Sequence, residues 1–178
     1  MMSLKTRRMK SMDLEALKPL FSRYASFLAN KGIQFPLPSS LEDQPFELLT
    51  IGKEIIGVSL ISQNAREKIF DGNLSSYYTF LDEGNPGDRP LYLIESFFID
   101  PGVKDTSVKE LFWQDVSRKR NGGDFLIELD QKDLEAISFY KDHGFYQVPS
   151  LFVPHAKEGK VLLHKPFIPQ GLCSLGTW

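Results

Sequence analysis

Cysteine is nearly absent. One residue, Cys173, stands among 178, so no internal disulfide framework and no all-cysteine metal cluster can form within the chain. A reducing compartment, the cytoplasm, is the expected setting. Long apolar runs are also missing, and none approaches the roughly 18 residues needed to cross a bilayer. The basic start (Lys5, Arg7, Arg8, Lys10) is followed by no apolar segment of the kind a secretory signal carries. Neither charge sign is in surplus. Lys and Arg number 21 against 23 Asp and Glu, a net charge of −2, which argues against general nucleic-acid or anionic-membrane binding. Phosphate-loop and dinucleotide-binding glycine motifs do not occur. His143, His155 and His164 lack metal-ligand spacing, so no metal is expected.

The chain has a composition of 42 % hydrophobic and 25 % charged residues, ordinary for a folded protein. Its length suits one domain, expected over residues 1–165 with a tail at 166–178. Residues 4–9 read as a first strand. Helical spacing follows from Asp13 through Leu14, Leu17, Phe21, Tyr24 and Leu28. Pro19 is expected to kink or restart that helix. Phe46–Ile51 and Glu54–Ser62, separated by Gly52-Lys53, form a hairpin signal. Residues 64–90 read as an insertion loop with an aromatic patch at Tyr77, Tyr78 and Phe80. A surface excursion, a substrate-covering flap and a partner interface all remain open for it.

From residue 91 the pattern sharpens. Leu91–Ile99 is a nearly unbroken apolar strand, stopped by Asp100-Pro101-Gly102. Then come a helix with Val108, Leu111, Phe112 and Val116, a strand at Phe125–Leu129, a helix with Ala136, Ile137 and Tyr140, and strands at Phe145–Val148 and Lys160–His164. This order implies an α/β sandwich around a mixed sheet.

Glu95 interrupts the apolar strand. Buried there, an ionised carboxylate costs several kcal/mol unless paired or wet, and a desolvated carboxyl shifts toward the range a general base needs. An exposed sheet face or a structural ion pair is the other reading. Tyr140 lies on the inward side of the last helix, four residues before Gly144, as a proton donor or a core aromatic. Ser107 and Glu110 have capping-box spacing, so the helix is expected to begin at Ser107. A helix start just beyond a strand end is either an anion site, helped by Lys104 and Lys109 and opposed by Asp105 and Glu110, or an ordinary turn.

The second half resembles the GCN5-related N-acetyltransferase (GNAT) family. The sharpest match is Ala136-Ile137-Ser138-Phe139-Tyr140-Lys141-Asp142-His143-Gly144-Phe145, which resembles the family's A-I-x-F-Y-x-x-x-G-F signature. The strand Leu93–Ile99 with Asp100-Pro101, the strand Phe125–Leu129 and the opening Leu4–Leu17 support it. The resemblance implies a mixed, mostly antiparallel central sheet with helices on both faces. It implies transfer of an acetyl group from acetyl-CoA to a primary amine on a small molecule or peptide. Glu95 matches the general base, Glu128 is the reserve base, and Tyr140 matches the acid that protonates the departing thiolate. The acetyl-CoA contacts would fall on Phe97, Phe98, Ile99, Lys104, Asp105, Thr106, Ser107, Val108, Lys109 and Asp133, with an N–H near Phe97 or Phe98 serving the oxyanion. The family loop reads [RQ]-x-x-G-x-[GA]. Lys104, Ser107 and Lys109 replace its Arg/Gln, Gly and Gly/Ala, and Asp133 stands where Asn is common. The glycine-poor loop motivates a second hypothesis, a catalytically inactive binding or regulatory module of the same fold. A monomer or homodimer is expected.

Overall fold

Strand β1 (Leu4–Arg8) pairs antiparallel with β2 (Glu47–Ile51), and β2 pairs antiparallel with β3 (Glu54–Ser62) across a register shift at Leu49/Thr50. These elements come from a computed structural model that describes residues 3–35, 37–38, 40–42, 44–63, 65, 69, 74–81, 89–153 and 158–167. The β2–β3 turn holds Gly52 at φ +60°, the left-handed conformation that primed hairpin turns require. Helix α1 (Leu14–Ala29) follows a 3-10 turn at Ser11–Asp13. It runs unbroken through Pro19, so the proline does not restart it. The remaining elements are α2 (Leu74–Phe80), β4 (Leu91–Ile99), α3 (Thr106–Arg118), β5 (Asp124–Asp130), α4 (Leu134–Asp142), β6 (Tyr146–Gln147) and β7 (Lys160–Lys165). The seven strands form one sheet in the order β1-β2-β3-β4-β5-β7-β6. Strands β4 and β5 are parallel, while β5/β7 and β6/β7 are antiparallel. The expected mixed sheet flanked by helices is therefore present.

The residues group into two compact units, 1–61 with 94–119, and 62–93 with 120–178. In the first, adjacent residues of β4 point to opposite faces and each face receives a helix. Phe98 meets Phe21 and Tyr24 of α1 at ring separations of 5.1 and 4.2 Å. Phe97 meets Phe112 and Trp113 of α3 at 5.2 and 5.5 Å. Leu17, Leu20, Phe46, Leu48, Val58 and Leu60 complete the α1 side. Asp13 closes the β1–α1 junction. Its carboxylate accepts two bonds from Arg7, at 2.6 and 2.7 Å, and the Lys10 N–H at 2.7 Å.

In the second unit, Tyr77, Tyr78, Leu91, Leu93, Leu126, Val148, Phe152 and Leu162 form the core. Within the stretch read as loop, residues 74–80 form helix α2. Tyr77 and Tyr78 lie on α2 and are each 1 % exposed, while Phe80 alone faces solvent. Buried in this core, the two tyrosines present no surface of their own to a substrate or partner. Asp82, Glu83, Asp88, His155 and Cys173 lie outside the described residues.

Candidate active site

Backbone and side chains together shape the path from β4 to α3. At the end of β4 the Asp100 N–H donates to the Ile56 carbonyl at 2.8 Å, and the Asp100 carbonyl accepts the Val103 N–H at 2.9 Å. The Asp100 side chain accepts the Gly102 N–H at 2.9 Å and pairs with Arg23 of α1. Burial pushes this carboxyl up, but Arg23 and the Gly102 N–H more than offset it and hold it below the ordinary value. The turn is thus anchored to both the sheet and α1.

Helix α3 begins one residue earlier than the capping-box spacing implies. Its N-cap is Asp105, in an extended conformation, whose carboxylate accepts the Ser107 N–H at 2.9 Å and the Ser107 hydroxyl at 2.7 Å. An acid at the N-cap satisfies an otherwise orphaned helical N–H and complements the helix dipole. Both bonds hold the Asp105 carboxyl below its usual value, against a smaller effect of burial. The Val108 N–H turns to the Asp105 carbonyl at 3.2 Å. Lys104, Asp105, Thr106 and Ser107 are exposed, Lys109 is half-buried, and Val108 is buried. The helix start therefore offers cationic side chains to an anion, while Asp105 already sits on one of the amides such an anion would use.

Of the two readings open for Glu95, the structure shows the exposed one. Its side chain is exposed, between Ile94 at 3 % and Ser96 at 7 %. The apolar run marks a strand covered along most of its length, but solvent reaches this one position. The open alternative of an exposed sheet position is the one realised. Phe97 and Phe98 are buried at 8 % and 1 %, with Ile99 partly exposed.

In the second unit, Tyr140 is 2 % exposed and packs edge-on against Phe139 and Phe145, at 5.3 and 5.0 Å. Its carbonyl accepts the N–H groups of His143 and Phe145, closing α4 ahead of Gly144 at φ +85°. His143 gives its Nδ1–H to the Phe139 carbonyl at 2.6 Å. Asp133 caps α4, accepting the Ala136 N–H at 3.2 Å, so its carboxylate is engaged in holding the helix start. Glu128 is half-buried on β5, opposite Leu162 of β7.

Sequence reasoning missed a buried polar cluster in this unit. Asp124 Oδ2 accepts the Tyr78 hydroxyl and the His164 Nε2–H, the latter at 3.0 Å, and Oδ1 accepts the Phe167 N–H at 3.0 Å. His164 Nδ1 lies 2.8 Å from the Tyr77 hydroxyl, which donates to it when the ring is neutral. Arg89 Nε stands 3.6 Å from Oδ1. Tyr77, Tyr78, Asp124 and His164 are each 1 % exposed. The available signal was an acid opening the apolar Phe125–Ile127 run right after Gly122-Gly123. Among the described residues no three His, Cys, Asp or Glu side chains group as metal ligands, and no helix is long and apolar enough to cross a membrane.

No protein-family model matches the sequence, and no curated protein resembles it closely enough to count as a relative. Solved structures do. A GNAT-family acetyltransferase of Streptococcus agalactiae superposes with a TM-score of 0.70 at 11 % identity, over 93 % of this chain and 96 % of that one. One from Staphylococcus aureus gives 0.65 at 13 %, over 93 % and 100 %. N-acetylglutamate synthase of Neisseria gonorrhoeae, solved with coenzyme A and N-acetyl-glutamate, gives 0.61 at 13 %, over 94 % of this chain and 36 % of that one. At such identities the likeness establishes the fold.

Proposed function

We propose that this chain, which carries the GNAT fold, transfers an acetyl group from acetyl-CoA to a primary amine of a small molecule or peptide. The observation that carries the reading is Glu95, a carboxylate open to solvent in the middle of an otherwise covered central strand. That strand leads through the Asp100 turn into an exposed helix start bearing Lys104. A proton acceptor must stay accessible to its substrate, and this position of the strand is. Glu95 takes a proton from the acceptor ammonium, directly or through water. The neutral nitrogen attacks the thioester carbonyl, forming the C–N bond, and a β4 amide at Phe97 or Phe98 stabilises the oxyanion. As the C–S bond breaks, Tyr140 gives its phenolic proton to the leaving thiolate, and the second proton, shed by the new amide nitrogen, passes through water to restore the phenol. Glu128 is the reserve base. The α3 start, with Lys104, Thr106, Ser107 and Lys109, holds the diphosphate, and Phe97–Ile99 hold the pantetheine arm.

One observation favours a second reading, an inactive binding module: the Asp105 carboxylate occupies the Ser107 amide and places negative charge where a diphosphate must rest. Titrating acetyl-CoA while following thermal unfolding separates the two, because a ligand of the native state raises its stability by RT ln(1 + [L]/Kd). A rising Tm, together with thiol release that depends on an added amine, supports the enzyme. A flat Tm up to millimolar acetyl-CoA sinks it in favour of the module.

A further inference from the structure

Lys165 ends strand β7, paired with Phe125 of β5. Its side chain shares a sheet face with Phe125, Ile127 and Leu163, which are 5, 6 and 0 % exposed. From there it runs against the α4–β6 turn, where a β-carbon built on Gly144 would stand 3.9 Å from Lys165 Cε. The residue is half-buried, and among the described residues no carboxylate lies within ion-pair distance of it. Three other described lysines are ion-paired. Lys160, at the far end of the same strand, has Asp130 at 3.8 Å, Lys18 has Glu15 at 2.8 Å, and Lys119 has Asp115 at 3.1 Å. On the α4 turn, Lys141 and Asp142 are exposed, and the half-buried His143 commits its Nδ1–H to Phe139. Burial lowers the Lys165 ammonium from lysine's ordinary value, and among the described residues no charged neighbour adds to this or opposes it.

We propose that Lys165 is a modification site, a lysine whose amine accepts an acyl group from a small activated thioester. An ammonium has no lone pair, so the nucleophile is the neutral amine, which an apolar, acid-free position favours. The Nζ lone pair attacks the thioester carbonyl, the N–C bond forms, the C–S bond breaks, and the thiolate departs and takes up the proton that nitrogen releases. The resulting amide is uncharged and fits the apolar floor better than an ammonium did.

The test is acetylation of the folded chain at pH 7.5 by S-acetyl-N-acetylcysteamine, a thioester without a nucleotide, with each lysine followed by peptide mass spectrometry. Because the reagent needs no diphosphate site, the outcome is independent of whether acetyl-CoA binds at α3. Lys165 is expected to acquire the acetyl group about three- to tenfold faster than the exposed Lys5, Lys53 and Lys132, and to lose that lead in concentrated urea. Equal or slower labelling of Lys165 in the folded chain overturns the proposal, and so does a preference that survives unfolding.

Discussion

The Asp105 carboxylate caps the helix that begins beside it by accepting the Ser107 N–H at 2.9 Å, and the same bond places an anion at the one helix start that the proposed reaction needs for a diphosphate. Exchanging Asp105 for serine keeps a capping oxygen while removing the charge. Asp105→Ser is therefore expected to tighten acetyl-CoA about three- to tenfold in a calorimetric titration. Dephosphorylated pantetheine thioesters should show no such gain. Equal affinities in wild type and variant would separate Asp105 from the cofactor altogether.

Exposure makes Glu95 a clean target. A solvent-facing substitution away from packing changes stability by about 0.5 kcal/mol or less, whereas losing a general base lowers turnover about 10²- to 10⁴-fold. Glu95→Gln should unfold with the wild type and lose kcat, retaining acetyl-CoA affinity. Tyr140→Phe keeps the ring packed between Phe139 and Phe145 and removes only the hydroxyl. Its kcat should fall as well, with the loss shrinking for acyl donors whose thiols are more acidic. Wild-type turnover in either variant removes that residue's assigned role.

Most of the architecture was legible because it rests on local patterns. The Leu91–Ile99 strand matches its apolar run end to end, the Gly52-Lys53 hairpin follows from turn chemistry, and Gly144 stops α4 as its position implies. Tertiary partners were not legible. Tyr77 and Tyr78 sit between acid-rich, glycine-containing stretches that read as loop, and their hydroxyls are buried against His164 and Asp124, 87 and 46 residues away. Which of its two positions Glu95 takes was not legible for the converse reason. A run of apolar neighbours says that a strand is covered, not which single position the cover leaves open. Asp105 and Ser107 both suit a cap, and spacing alone favoured the serine because it ignores which residue takes the extended conformation.

A glycine in the second unit is held by contact rather than by conformation. A β-carbon on Gly123 would fall 2.9 Å from the Pro90 carbonyl and press into the Tyr92 ring. The carbonyl belongs to backbone bonded to the Asp124 N–H at 2.9 Å, so it cannot simply move aside. Gly123→Ala is expected to destabilise the chain by about 1–3 kcal/mol through overpacking, read as a lower denaturant midpoint. An unchanged midpoint would mean that Tyr92 swings out freely.

Acid sensitivity should trace to Asp124. Burial raises its carboxyl, but bonds from His164, Tyr78 and the Phe167 N–H outweigh that and leave it below the ordinary value. A carboxyl depressed in the folded state contributes stability above its unfolded value, near 3.9, and loses it as pH falls through the lower folded value. Asp124→Asn keeps the shape and removes the charge facing His164 and Arg89, a loss expected to cost about 3–5 kcal/mol at neutral pH. Below the folded value the wild-type side chain is itself protonated, so the two stability curves should converge there. Denaturant melts of both proteins from pH 7 to pH 2 measure this directly. Parallel curves across the whole range would place the acid-labile group elsewhere and leave Asp124 a spectator in the cluster that pins α2.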